Sequence, residues 1–140
     1  MSELSAAIGK GYEIVHKGKT YTFTLIGQNV KLSFADRCYS RAREAVKELR
    51  NDVSSDEFAK MMSLLAEANE RGEFELFGIR GAKAMASIKG AMLMVRLLTG
   101  CDEEEGKDLV ENNTVEVKLI IDKVIEESFP EIVKKNQKVK

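Results

Sequence analysis

Hydrolytic, transfer and metal sites draw on histidine, cysteine and grouped carboxylates, and this sequence holds one histidine, His16, and two cysteines, Cys38 and Cys101. His16 stands beside Lys17 and Lys19 at what reads as a hairpin turn, where a solvated strand end explains it better than a general base or ligand. Cys38 falls on an apolar stripe and Cys101 directly follows Gly100, settings that suit small hydrophobes rather than a reactive thiolate. The acids Asp102, Glu103, Glu104, Glu105, Asp108 and Glu111 lack the D-x-D-x-D-G spacing and the distant bidentate Glu of a calcium loop. Acids at a helix start, favoured by the macrodipole, account for them. Gly78, Gly81 and Gly90 form neither a G-x-x-x-x-G-K-[ST] loop nor a G-x-G-x-x-G turn after a firm strand, so no phosphate cradle is implied. No catalytic residue, metal site or cofactor is expected, and the function is expected to be non-enzymatic binding of another macromolecule.

Charge narrows the partner. With a formal net charge of -1 there is no overall basic field to draw the protein to nucleic acid or anionic lipid. Lys31, Arg37, Arg41, Arg43, Lys47 and Arg50 nevertheless make one helical region basic, while residues 102–127 are acidic. Both stripes fit solvated faces, or the two complementary sides of a protein contact. Duplex binding by the same arginines is disfavoured, because Glu44 and Glu48 are interleaved with them and would repel phosphates. Met61, Met62, Met85, Met92 and Met94 suit core filling, or an adaptable apolar surface for helical clients.

These side chains must be positioned by a small number of elements. At 140 residues, 44% hydrophobic and 32% charged, the chain reads as one globular domain over residues 1–130, followed by a basic, flexible tail at 131–140. Residues 12–25 read as a β-hairpin: Tyr21, Phe23 and Leu25 alternate with threonines, and Lys17-Gly18 offers a tight turn. That turn sets His16 opposite Lys19, Ile14 opposite Tyr21 and Tyr12 opposite Phe23, gathering the apolar side chains on one face. Ser33 with Asp36 suggests the start of a first helix running to Arg50, and Ser54 with Glu57 is a capping box for a second that stops before Gly72. Residues 73–78 read as a connector. Residues 81–98 read as a central helix with Met85, Ile88, Met92, Val95 and Leu98 inward and Gly100 as its stop. Asp102 caps a short acidic helix ending near Val110, and Asn113 with Glu116 caps a last helix carrying Val117, Ile120, Ile121, Val124 and Ile125 up to Pro130. The expected fold is mainly α, with an N-terminal β-hairpin packed on a bundle of four to five helices.

No stretch is long and apolar enough for a membrane span, and the first ten residues lack a signal-peptide layout, so a reducing cytosol is the expected compartment. The order of features, a G-K-x-Y-x-F strand signal at Gly18-Lys19-Thr20-Tyr21-Thr22-Phe23, then amphipathic helices, then a late helix before a basic end, resembles the tail assembly chaperones of long-tailed bacteriophages. Lys134-Lys135-Asn136 fits the same resemblance, since members are often extended by a frameshift near their end. The resemblance implies a chaperone in the cytoplasm of an infected bacterium that coats a helical tape-measure protein and recruits tail-tube subunits. The residue pattern itself leaves open a structural or adaptor protein of the phage particle, and a small nucleic-acid-binding regulator. For a protein contact the candidate residues are Tyr12, Ile14, Tyr21, Phe23 and Leu25 on the hairpin and Arg37 and Arg41 on the first helix, with self-association through the hairpin edge.

Overall fold

The structure, a computed structural model, describes residues 12–130. The expected 131–140 tail lies outside them. The described chain is mainly helical with an N-terminal antiparallel hairpin, in the order β1 (Glu13–His16), β2 (Lys19–Thr22), α1 (Gln28–Lys47), α2 (Ser55–Glu70), α3 (Ile79–Met85), α4 (Ile88–Thr99), α5 (Glu103–Asn112) and α6 (Thr114–Ser128). It divides into two compact units, one made of the residues up to Val30 together with those from Ile88 onward, the other of Lys31–Ser87.

In the first unit the hairpin has the register its alternation dictates, with Ile14 opposite Tyr21 and His16 opposite Lys19. Lys17 and Gly18 both take positive φ, 51° and 79°, the mirror-image turn that matches strand twist. The apolar face, Tyr12, Ile14, Tyr21 and Phe23, is buried with Leu93, Met94, Val95, Leu98, Leu109, Val110, Val117, Ile121 and Val124 of this unit's helices. Helix α4 lies at the centre and touches α5, α6 and β2. The α5 start is a full capping box: the Asp102 carboxylate accepts from the Glu105 amide at 2.8 Å, and the Glu105 carboxylate accepts from the Asp102 amide.

Three expectations are corrected. The single helix over 81–98 is two, α3 and α4, interrupted at Ala86-Ser87 without proline or glycine. The Ala84 carbonyl, which a continuous helix would offer to the Ile88 amide, instead accepts from both the amide and the hydroxyl of Ser87, at 2.9 and 2.5 Å. The buried side of α4 turns accordingly to Leu93, Met94, Val95 and Leu98, and Ile88, expected inside, is 62% exposed. Asn113 does not cap α6 through its side chain; its amide donates to the Leu109 carbonyl and to His16. Helix α1 starts at Gln28 and ends at Lys47, so Ser33 and Asp36 lie inside it. No breaker separates Gln28 from Ser33, and the helix extends back to Gly27.

In the second unit Ser54 caps α2 as expected, its hydroxyl accepting from the Glu57 amide at 3.1 Å. The connector after Gly72 is a tight backbone knot: the Glu73 carbonyl accepts from the Arg80 and Gly81 amides at 2.8 and 2.9 Å. Gly81 is required by this approach, since a Cβ there would run into the Glu75 carbonyl. Phe74 and Leu76 are buried.

Candidate functional site

Two places bring polar or apolar side chains together in a way that could serve a function, one in each unit. In the first unit, the turn end of the hairpin is fastened to α5. His16, 15% exposed at its side chain, sets Nε2 3.0 Å from the Asp108 carboxylate while Nδ1 accepts from the Asn113 amide at 3.2 Å. Because the amide donates to Nδ1, Nε2 carries the hydrogen directed at Asp108. Lys17 reaches the same carboxylate at 2.9 Å. Lys19 and the Tyr21 hydroxyl, at 2.5 and 3.1 Å, both donate to Glu105. The Lys19 ammonium, the Asp102 amide and the Tyr21 hydroxyl together push the Glu105 carboxyl down to about 2, and Lys17 with His16 lowers Asp108. His16 is therefore not the solvated strand-end residue its neighbours suggest. Its ring joins strand to helix with both nitrogens engaged, so the cluster holds the hairpin in place.

The second unit is arranged differently. Its buried apolar side chains are six, Phe34, Cys38, Leu65, Ala68, Phe74 and Leu76, against five large ones left exposed, Leu32, Leu49, Leu64, Phe77 and Ile79. Among the described residues of the first unit, fifteen such side chains are buried and four exposed. Residues of the loop after Gly72 line two open hollows. One, of about 560 Å³, is lined by Phe74, Ile79 and Ala84 with Glu73, Arg80 and Lys83; the other, about 250 Å³, by Leu76, Phe77 and Glu75 with Lys31. Glu73 is bridged by Arg71 and Arg80 at 2.8 and 3.1 Å, which lowers its carboxyl, and Arg80 also covers the Phe74 ring. That leaves Lys83 as the cation of the larger hollow outside the Glu73 bridge.

The candidate residues from the sequence do not come together. Tyr12, Ile14, Tyr21 and Phe23 are core residues of the first unit and Leu25 is half-buried. Arg37 and Arg41 are exposed on the second unit's α1, so the two sets belong to different units. Cys38 is buried, which raises its thiol, and neither cysteine is in a disulfide. Ile79 and Phe77 escape sequence reasoning because they stand on either side of Gly78, one ending the connector and the other opening a seven-residue helix, and so share no periodicity. Val15 had a signal, an apolar residue out of phase with the alternation of β1. Among the described residues no group of His, Cys, Asp or Glu could hold a metal ion, and no helix is long and apolar enough to cross a membrane.

No protein-family model matches the chain, and no curated protein or solved structure does either.

Proposed function

We propose that this chain is a non-enzymatic assembly chaperone of a long-tailed phage, acting in the cytoplasm of the infected bacterium on a helical tape-measure-type protein and on tail-tube subunits. The order of features in the sequence supports the phage assignment. The observation that carries a binding role is the second unit's apolar balance, five large side chains exposed beside six buried, with Ile79 and Phe77 each lining an open hollow. Apolar side chains beside shallow grooves are what an amphipathic client helix needs, docking residues at i, i+3, i+4 and i+7. Arg80 and Lys83 beside Ile79 would favour acids flanking the client's apolar stripe.

Co-expression with a long helical tail protein tests this. Wild type keeps the client soluble and co-purifies with it, whereas an Ile79→Glu variant loses the client. Ile79 is 76% exposed, so the substitution shifts stability by no more than about 0.5 kcal/mol and the variant melts where wild type does. Equal client capture by the two proteins would overturn the assignment of this surface. Stoichiometric copies in purified virions would replace the chaperone reading with a structural one, and steeply salt-dependent duplex binding would replace it with a nucleic-acid regulator.

A further inference from the structure

The hairpin's apolar face is used up within the first unit, but its outer strand edge is not. Phe23 donates to the Tyr12 carbonyl at 2.8 Å, so Tyr12 and Phe23 are a hydrogen-bonded pair. Bonded and non-bonded pairs alternate along an antiparallel ladder, which makes Ile14 with Tyr21 and His16 with Lys19 the other bonded pairs. The N–H and C=O groups of Glu13 and Val15 therefore point away from β2. Among the described residues no backbone group pairs with them. The opposite edge differs, since the Thr24 amide beyond β2 donates to the Leu98 carbonyl at 3.1 Å. Val15 is 69% exposed and is the one apolar side chain on the outer face, among Glu13, Thr20 and Thr22.

The order Glu13-x-Val15-x-Lys17 is complementary to itself when reversed. We propose that the β1 edge joins two copies of this chain about a twofold axis at Val15, forming a four-stranded antiparallel sheet. The two Val15 residues then exchange both backbone hydrogen bonds and bring their side chains into contact. Glu13 comes within reach of the ammonium of Lys17 of the partner subunit, which stands in the turn one residue past the end of β1, and the twofold repeats that pair. Lys17 also lies 2.9 Å from Asp108, but its side chain is 72% exposed, so its ammonium can serve both carboxylates. The β2 edge, with uncharged Thr20 and Thr22 outward, has no such pairing, and a strand lacking the Glu-x-Val-x-Lys order would leave Glu13 and Lys17 without partners.

Light scattering and sedimentation equilibrium of the full chain over a concentration series test the pairing. Wild type shifts from monomer to dimer mass. Val15→Pro removes the outward donor, at an edge position where a strand tolerates proline, and stays monomeric with the circular dichroism and melting temperature of wild type. Glu13→Lys sets lysine against lysine twice and weakens the dimer about tenfold, the sum of two cross-strand charge reversals; it carries the test if the proline variant fails to fold. A wild type that is monomeric up to its solubility limit, or a dimer indifferent to both substitutions, overturns the proposal. A monomer whose client capture falls with Val15→Pro also overturns it, by assigning the edge to a client strand. None of these masses depends on the client surface around Ile79, so the two readings fail separately.

Discussion

Glu105 performs two tasks with one carboxylate, closing the capping box of α5 and receiving Lys19 and Tyr21 from β2. Its folded carboxyl is pushed down to about 2 from an ordinary 4.5, so its contribution to stability is complete above 4.5 and is lost as the pH falls from there to about 2. Asp108 is lowered in the same direction and steepens the same acid limb. A Glu105→Gln variant, which keeps the shape and removes the charge, is expected to melt lower than wild type at pH 7 and to converge on it near pH 2. Melting curves at stepped pH check this, and parallel curves for the two proteins would contradict it. At His16 the expectation is a stability effect alone: His16→Ala removes two partly buried hydrogen bonds, each worth about 1 kcal/mol, and leaves client capture unchanged. Urea denaturation and co-purification on one preparation separate the two outcomes.

Helix α4 shows how an element's inward face depends on where the helix begins. A helix through residues 81–98 would carry Ile88 and Met92 inward, but restarting at Ile88 presents Leu93 and Met94 to the core instead, each no more than 2% exposed. Met94→Asp is accordingly expected to cost several kcal/mol, on the order of 3 or more, because the aspartate has no buried partner and must either stay unpaired or take up a proton. Glu104→Lys, on the exposed first turn of α5, is expected to change stability by less than about 1 kcal/mol, by reversing a favourable charge at the positive end of the helix. Urea midpoints of the two variants check the contrast. Similar small shifts for both would place the core elsewhere than α4.

Across the whole molecule apolar burial is uneven, and stability is expected to follow it. The first unit gathers Leu93, Met94, Leu98, Leu109, Val117 and Val124 with the hairpin's Ile14 and Phe23, all nearly inaccessible, while α1 contributes only Phe34 and Cys38 to the second unit's buried set and α2 only Leu65 and Ala68. Native-state hydrogen exchange is therefore expected to find the slowest amides in α4, α5 and α6 and faster exchange in α1 and α2, because local opening is easiest where few apolar contacts must be broken. A client bound to the Ile79 surface would slow exchange selectively in the Lys31–Ser87 unit. Uniform protection of all six described helices would show a single cooperative body instead.

Interactions between near neighbours were legible in the order of residues. The hairpin register follows from strand alternation about Lys17-Gly18, and the caps at Ser54 and Asp102 each bond a group three residues away. Gly72 and Gly100 end α2 and α4 at positive φ, where other residues are strained. Such features involve only a few consecutive residues, and local chemistry determines them. Tertiary structure alone decided that Tyr12, Ile14, Tyr21 and Phe23 turn inward, that His16 meets Asp108 and Asn113 at separations of 92 and 97 residues, and that Asn113 gives up a capping role to do so. The division of the chain at Val30 and Ser87 belongs to the same class. Each of these outcomes turns on which of several competing partners a group finds once distant segments have packed, and periodicity along the chain is blind to that competition.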